Sequence, residues 1–384
     1  MNNFNEEKLP EGWEVKSLAD IGNIFSGNSI NAKLKEEKYT NKEGTPYVAT
    51  KDISYNSVIN YDNGINIPFD DVNKFRLAKS ETILICAEGG SAGRKVGILN
   101  QDVYFVNKLF ALETISEVNS KFCFYWYLSK EFKSNFKDKL KGLIGGVSKT
   151  DFKNLLIPIP PFSEQKRIVD KIDGLFVKID KAISLTEESL KQAENLLPSV
   201  LKEIFEKGKA DGWDEKKWDE VLEIKNGKSQ KEFLVDEGGY PIYGSGGLMN
   251  GRVSKFLCPK NTTIVGRKGT IDKPKYIEED FWNVDTAFGL CSKTGLNPRF
   301  LYYFCLTFNF RSLNKSTTLP SLTKRDLLQI KMPITTSENQ MKVVSIAGDI
   351  LLKSQKTQSK LEQQLAYLKQ LKSSILSKAF KGEL

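Results

Sequence analysis

The residue types that most enzymes use near neutral pH are missing or scattered in this 384-residue sequence. It contains no histidine, which removes the usual general base, the Ser-His-Asp and Cys-His arrangements and the commonest zinc ligand. The five cysteines are widely separated and include no Cys-x-x-Cys pair. Disulfide frameworks and zinc sites need clustered thiols, so we expect reduced, buried cysteines, no metal and no cofactor.

Three other kinds of sequence string resemble chemical motifs without matching them. Asp70-Asp71 and Glu278-Glu279-Asp280 suggest a metal-dependent nuclease, but such acidic pairs are common and we interpret them as surface carboxylates. Ile159-Pro160-Pro161-Phe162 lacks the polar first residue of the Asn-Pro-Pro-aromatic signature of adenine methyltransferases. Gly244–Gly247 and Gly266–Thr270 fit neither the phosphate-loop nor the dinucleotide spacing, and we predict turns there.

The charge balance favours a polyanionic partner. The formal net charge is +9, and a basic surplus of this size is moderate support for nucleic-acid binding. Residues 1–161 carry 21 basic and 20 acidic groups, whereas residues 208–336 carry 20 and 15. The first half would therefore need a local basic patch to hold DNA.

Segments that mix basic, hydroxyl and glycine residues are the best candidates for contact with DNA. Lysine and arginine neutralise phosphates, and serine and threonine hydroxyls bond phosphates or base edges. Arg94 and Arg267 are candidates for bidentate reading of guanine. Two segments, 139–149 and 311–325, carry most of the others. The candidate contact residues are Arg94, Lys141, Ser148, Lys149, Arg267, Lys268, Lys315, Thr317, Lys324 and Arg325.

An internal repeat organises the chain, and repeats of this kind decide the fold. Short β-branched and aromatic runs punctuated by turn residues fill both halves, which predicts strands with a few helices such as 122–136. The aromatic pairs Tyr125-Trp126 and Tyr302-Tyr303 fit a core better than base stacking. The matching strings, in the same order in both halves, are Gly12-Trp13 with Gly212-Trp213, Ile24 with Ile224, Ile83-Leu84-Ile85 with Thr263-Ile264-Val265, Lys149-Thr150-Asp151 with Lys324-Arg325-Asp326, and Gln165 with Gln340.

A long amphipathic helix follows each half. Apolar residues recur at three- and four-residue steps from Ser163 to about Lys207 and again from Ser337, interrupted at Thr186, Ser354 and Thr357. Such stripes must be buried, and the simplest partner of each is the other, as a coiled coil. Both pairings are conceivable, but the short connection at 208–212 favours antiparallel helices. About 45 residues would span roughly 67 Å, enough to separate two DNA-reading domains.

The order of these elements resembles the specificity subunits of type I restriction-modification systems. The resemblance rests on Leu9-Pro10-Glu11-Gly12-Trp13, Ser163-Glu164-Gln165-Lys166-Arg167-Ile168-Val169, Asp211-Gly212-Trp213 and the ending Ala379–Leu384. It implies an α+β chain in which two pseudo-repeated α/β target recognition domains are separated by two long antiparallel helices forming a coiled coil. The predicted boundaries are 1–161 and 208–336 for the recognition domains and 162–207 and 337–384 for the helices.

The same resemblance implies a non-catalytic DNA-recognition subunit. Each domain would read one half of a gapped double-stranded target, and the helices would set the spacer and dock two methyltransferase subunits, with restriction subunits as optional partners. Two other functions stay open: a stand-alone endonuclease or methyltransferase with unusual motifs, and a scaffold whose domains bind proteins. The polar, acidic start and the absence of a run of about 20 apolar residues predict a cytoplasmic protein.

Overall fold

A computed structural model describes residues 9–142 and 145–384 of the chain. It divides into two compact units. The first comprises the chain up to Leu185 together with Leu365–Leu384, and the second comprises Thr186–Gln364. Each unit therefore contains one globular domain and a part of each of two long helices. Within the described ranges, no helix combines the length and apolarity needed to cross a bilayer.

The first domain is built from short strands with helices between them. Its strands fall into one two-stranded and two four-stranded sheets. The elements are β1 (Glu14–Ser17), β2 (Gly22–Ser26), α1 (Ala32–Leu34), β3 (Thr45–Val48), β4 (Asn66–Ile67), β5 (Leu77–Ala78), β6 (Ile83–Cys86), β7 (Val96–Ile98), β8 (Val103–Phe105), β9 (Leu109–Thr114), α2 (Ser120–Leu128), α3 (Lys130–Lys137), α4 (Lys149–Lys153) and β10 (Leu156–Ile159).

The position of strand β6 explains why its residues Ile83–Cys86 are apolar at every position and not only at alternate ones. It lies inside the sheet of order β2-β9-β6-β7, and a second sheet of order β4-β3-β8-β5 lies elsewhere in the domain. Ile83 and Ile85 belong to the core cluster that contains helix α2. Leu84 and Cys86 point to a separate cluster with β3 and β8. Successive side chains of a strand face opposite ways, so a strand covered on both faces needs apolar residues at every position.

The single helix predicted over 122–136 is wrong, because Ser129 divides it into α2 and α3. Ser129 has an extended backbone (φ −67°, ψ 160°), and its Oγ accepts a hydrogen bond from the Phe132 amide as the N-cap of α3. A capping serine satisfies a helix-terminal donor that a continuous helix would bond internally. The aromatic prediction is confirmed: Tyr125, Trp126 and Tyr303 are buried in the cores.

The surface interpretation of the acidic strings is wrong for one residue, Asp71, whereas Asp70 is exposed as expected. Asp71 is buried instead of lying on the surface: its carboxylate accepts a hydrogen bond from the Tyr39 hydroxyl and forms ion pairs with Lys38 and Lys74. These hydrogen bonds, first those from Lys38 and Lys74, hold the pKa of Asp71 well below its usual range. A buried carboxylate needs such partners, so Asp71 is a structural residue of the first domain.

The second domain repeats the plan of the first. Its sheets have the orders β11-β20, β12-β19-β16-β17 and β13-β15-β14-β18. In each domain, one of the two four-stranded sheets contains a parallel pair of strands, which is β3 with β8 in the first domain and β14 with β18 in the second. The elements are β11 (Asp214–Lys217), α6 (Trp218–Val221), β12 (Leu222–Asn226), β13 (Leu234–Val235), β14 (Tyr240–Gly244), β15 (Gly247–Val253), β16 (Thr262–Gly266), β17 (Lys275–Ile277), β18 (Trp282–Asn283), β19 (Ala287–Ser292), α7 (Pro298–Thr307), α8 (Lys324–Leu328) and β20 (Lys331–Ile334).

Two long helices follow the domains, α5 (Phe162–Ala210) and α9 (Ser337–Ala379). Pro198 lies inside α5, which continues past it. In the first unit, Arg167 donates to the carbonyl of Leu384, and Lys372 forms an ion pair with Asp180. Residue numbers therefore rise along α5 as they fall along α9, which makes the two segments antiparallel.

The helices are also antiparallel in the second unit. Ser354 donates to the carbonyl of Ala193 over 2.5 Å, while residues further along α5 share a core cluster with residues nearer the start of α9. Ser354 is buried, so this polar interruption of the stripe is satisfied by the facing helix. The expected antiparallel coiled coil is thus present within each unit.

Equivalent glutamines fix each long helix to the domain that precedes it. The Gln165 side chain accepts from the Asn119 amide at 2.8 Å and donates to the Pro160 carbonyl at 2.9 Å. Gln340 repeats both contacts, with the Asn297 amide and the Thr335 carbonyl, each at 2.8 Å. Both glutamines are buried, and a buried amide stays stable only when its donors and acceptors are bonded. The repeated Ser-Glu-x-Gln and Ser-Glu-Gln strings therefore encode a joint between domain and helix.

Equivalent phenylalanines fix the far end of each helix. Phe380, just beyond α9, packs on Trp126 of the first domain with ring centroids 4.9 Å apart. Phe205, near the end of α5, packs on Phe304 of the second domain at 5.4 Å. Each domain thus holds the start of the helix that follows it and the end of the other helix.

Candidate nucleic-acid interface

Two of the predicted DNA-contact segments lie side by side in the first domain. The turn after β6 carries Arg94, and the segment before α4 carries Lys141 and Ser148. Backbone hydrogen bonds join these segments, from the Gly89 amide to the Gly145 carbonyl at 2.7 Å and from the Val147 amide to the Ala87 carbonyl at 3.0 Å. Residues 143 and 144, within the predicted segment 139–149, lie outside the described residues.

A third segment, which carries no distinctive sequence signal, also lies at this surface. A hairpin over 53–59 closes with hydrogen bonds between Ser54 and Val58, and it presents Tyr55, whose side chain is 57% exposed. The Tyr55 hydroxyl lies 3.2 Å from the Ser91 hydroxyl, and the Arg94 guanidinium lies over the Tyr55 ring, 4.9 Å from its centroid. The interface of the first domain therefore consists of this hairpin, the turn 87–95 and the segment 141–149.

The second domain brings the equivalent segments together. The turn after β16 carries Arg267 and Lys268, and it bonds to the segment that precedes α8: the Gly269 amide donates to the Pro320 carbonyl at 2.9 Å, and the Leu322 amide donates to the Arg267 carbonyl at 2.9 Å. The turn between β14 and β15, which contains the glycine-rich Gly244–Gly247, joins them through Thr286. Both glycine-rich strings lie at turns beside this surface.

A lysine, an aspartate and a hydroxyl form the same local cluster in both domains. In the first, Lys141 forms an ion pair with Asp151 at 2.9 Å, and Ser148 donates to the same carboxylate while capping α4. In the second, Lys315 forms an ion pair with Asp326 at 3.0 Å, and Thr323 has the role of Ser148.

The two lysines therefore do not present their full charge to a phosphate. In each cluster the lysine and then the hydroxyl lower the pKa of the aspartate, so the carboxylate is ionised throughout the neutral range. The sequence signal for this cluster was available. Both domains place a lysine ten or eleven residues before an aspartate and a serine or threonine three residues before it.

The remaining predicted contact residues differ in how freely they are presented. Lys268, Thr317 and Arg325 are exposed, and Lys149 is half-buried at the start of α4. Lys324 is half-buried and its Nζ donates to the Ile224 carbonyl at 2.7 Å, which gives it a structural partner. Arg267 is also half-buried and donates to the Asp285 carbonyl at 3.4 Å.

Comparison with known proteins places this arrangement in a family. The sequence matches the family described as "Type I restriction modification DNA specificity domain" over residues 10–195 and again over 210–367. The chain belongs to this family. Its two matched stretches are two copies of one specificity domain, each containing one of the two interfaces described above.

Individual relatives agree with this assignment. The chain is 25% identical to the MjaVIII type I restriction enzyme specificity subunit of Methanocaldococcus jannaschii, over 88% of this chain and 86% of that protein. It is 23% identical to the EcoKI specificity subunit of Escherichia coli over 51% of this chain and 41% of that protein.

Solved structures share the fold. A chain from a study of complex assembly and conformational transition of the type I restriction-modification system superposes with a TM-score of 0.82 at 20% identity, covering 98% of this chain and all of that chain. The HsdS subunit from Thermoanaerobacter tengcongensis superposes with a TM-score of 0.60 at 20% identity, covering 98% of each. This protein is therefore a type I specificity subunit with two recognition domains, and the stand-alone enzyme interpretation is not supported.

Among the described residues, no group of three or more acidic or cysteine side chains is placed to hold a metal ion. The cysteines are unpaired thiols; four are buried, and Cys291 is half-buried. Burial raises the pKa of Cys123 and Cys305, which keeps these two thiols protonated and unreactive.

Proposed function

We propose that each specificity domain reads one half of a gapped DNA target through its three-segment interface, and that α5 and α9 set the distance between the halves. The observation that carries this proposal is the recurrence of one arrangement in both domains: a turn and a helix start are joined by equivalent backbone hydrogen bonds, and a further turn lies beside them. A chain that duplicates its reading surface is suited to a target with two parts.

The predicted contact residues have different parts in this proposal. The exposed Lys268 and Arg325 and the half-buried Lys149 neutralise phosphates, which gives affinity without sequence preference. Thr317 is exposed and offers a hydroxyl to a phosphate or a base edge. Lys141 and Lys315 contact phosphates while each stays paired with its aspartate. Lys324 is assigned to the architecture of the second domain, because its ammonium is already bonded to a backbone carbonyl.

The DNA part of the proposal is tested by binding the full chain to duplex DNA over a range of salt concentrations. A phosphate-driven complex weakens steeply as salt rises, with the logarithm of the binding constant falling linearly with the logarithm of salt concentration. Failure of the chain to bind duplex DNA even at low salt would favour the protein-binding scaffold instead.

We further propose that methylation is performed by partner methyltransferase subunits that dock on the long helices. The support is a pair of exposed apolar residues at equivalent positions. Val177 and Leu352 each lie twelve residues beyond the equivalent glutamines Gln165 and Gln340. Their side chains are 70% and 67% exposed. Because the two positions are equivalent in the repeat, two copies of one partner would meet the same kind of apolar side chain, one on each helix.

The docking proposal predicts that one glutamate substitution weakens one of two equivalent docking sites. Val177→Glu or Leu352→Glu is expected to lower the number of bound methyltransferase subunits from two to one, and the double variant to abolish binding, as measured by the mass of the purified complex. The matched control is Lys171→Glu, on the same helix. Unchanged stoichiometry in both single variants would show that docking uses another surface.

A further inference from the structure

Arg94 in the first domain is held in an unusual way for an exposed arginine. Its guanidinium lies over the Tyr55 ring, 4.9 Å from the centroid, and Nη1 donates to the Gly90 carbonyl at 3.3 Å. Within the described parts of the chain, no acidic side chain forms an ion pair with it. Its remaining N–H groups are therefore not committed to a carboxylate.

Tyr55 is itself held in place by its surroundings. Its hydroxyl lies within hydrogen-bond distance of Ser91, and the Lys95 ammonium, 5.3 Å from the Tyr55 centroid, is fixed by the Thr50 carbonyl at 3.0 Å. An arginine stacked on an aromatic ring loses little further freedom when it binds, and its planar fork matches two acceptors at once. In the major groove, guanine offers this pair of acceptors at O6 and N7.

The corresponding turn of the second domain presents its arginine differently, since Arg267 takes the position of Ala87 in the repeated hydrogen bonds. Arg267 is half-buried, its Nη1 donates to the Asp285 carbonyl, and its guanidinium lies 6.0 Å from the centroid of the Phe288 ring. The neighbouring turn carries Leu248, which is 69% exposed, where the first domain carries Tyr55 and its hairpin. The two domains therefore share a scaffold but present different chemistry to a base pair.

We infer that the half-site read by the first domain contains a guanine contacted through O6 and N7 by Arg94, and that Tyr55 is the positioning residue that holds Arg94 for this contact. The inference rests on the proposed function, because it requires the first domain to read one half of a target.

The test begins by mapping the methylated target of the full chain with its partner methyltransferase. Duplexes are then made in which each guanine of the first half-site is replaced, one at a time, by 7-deazaguanine, which lacks the N7 acceptor. One such replacement is expected to weaken binding of the wild-type complex about tenfold. The same replacement should have little effect on the Arg94→Ala complex. Guanines of the second half-site serve as the internal control, and their replacement should affect both complexes equally.

Three further variants separate a reading role from a structural one. Arg94→Lys keeps the charge but loses the planar fork that bonds two acceptors at once. This variant should therefore no longer distinguish guanine from 7-deazaguanine at that position, while its DNA binding should keep the same dependence on salt. Tyr55→Ala should lose part of that discrimination, and Tyr55→Phe should keep it because the ring remains. All effects should be confined to the first half-site.

Two results would overturn the inference. In one, the first half-site contains no guanine whose N7 matters. In the other, Arg94→Ala weakens binding to every sequence equally, which would make Arg94 a phosphate contact. Both leave a gapped target intact and so spare the proposed function. Failure of the wild-type complex to show any two-part target would instead contradict the proposed function.

Discussion

The two specificity domains use one architecture for two surfaces with different chemistry. The cluster of Lys141 with Asp151 and that of Lys315 with Asp326 have the same ion pair, at 2.9 and 3.0 Å. The surrounding residues differ: Arg94 stacks on Tyr55 in the first domain, whereas the second presents an exposed Leu248 beside a half-buried Arg267. The lysine–aspartate clusters are thus kept while the exposed side chains beside them diverge. Such a chain can change one half of its target without changing its frame.

The largest effect should come from making the two surfaces the same. A chain in which residues 212–336 are replaced by a copy of residues 12–161, with both helices kept, should recognise a target made of two copies of the first half-site. The physical reason is that each domain carries its own interface and its own contacts to both helix ends. Methylation mapping with the partner subunit measures this, and retention of the original second half-site would show that specificity is not local to each domain.

The two phenylalanines that fix the helix ends should contribute about equally to the free energy of unfolding. Phe380→Ala and Phe205→Ala each remove a buried ring that fixes a helix end to a domain, and each is expected to lower the free energy of unfolding by about 3–5 kcal/mol. Chemical denaturation of the full chain measures both. Lys381→Ala, at an exposed neighbouring position, is the control and should change stability by less than about 0.5 kcal/mol. A large cost at only one phenylalanine would show that the two joints are not equivalent.

The smallest effects should come from the lysine–aspartate clusters. Lys141→Ala or Lys315→Ala should each reduce the salt dependence of DNA binding by about one counterion. Asp151→Asn or Asp326→Asn should tighten binding slightly, because each releases a lysine while the serine or threonine cap remains.

Acidification is a poor substitute for these variants. The pKa of each aspartate is lowered, so each ion pair is present at neutral pH and is lost only as the pH falls below the ordinary aspartate range.

A change in salt dependence for the variants of one domain but not the other would show that only one cluster approaches the phosphates.

Sequence reasoning succeeded where a periodic or repeated pattern carries the information. The two long helices follow from the spacing of their apolar residues, and their antiparallel pairing follows from the short connection at 208–212. Three of the four paired aromatic residues are buried as expected, and Tyr302 is half-buried. It failed where a single side chain decides the local structure. Ser129 ends a helix that the apolar pattern would continue, and the buried Asp71 forms ion pairs with Lys38 and Lys74 through its two carboxylate oxygens.

The residues of the candidate interface could likewise be predicted from the sequence only in part. Arg94 and Lys141 were identifiable as basic residues in glycine-containing segments. Tyr55 was not, because the hairpin over 53–59 has no distinctive spacing and acquires its place only through contacts with a turn about 36 residues further along the chain. Side chains that read DNA lie on loops, where periodicity gives no information.

The proposed function is that the two domains read the two halves of a gapped target and that α5 and α9 set the gap. It is tested most directly by mapping methylated positions for the wild-type complex and for a variant with four residues, about one helical turn, inserted at facing positions of α5 and α9. The account predicts a two-part target in both cases, with the same half-sites and a longer gap in the variant. An uninterrupted target, or a variant that alters a half-site and leaves the gap unchanged, would contradict it.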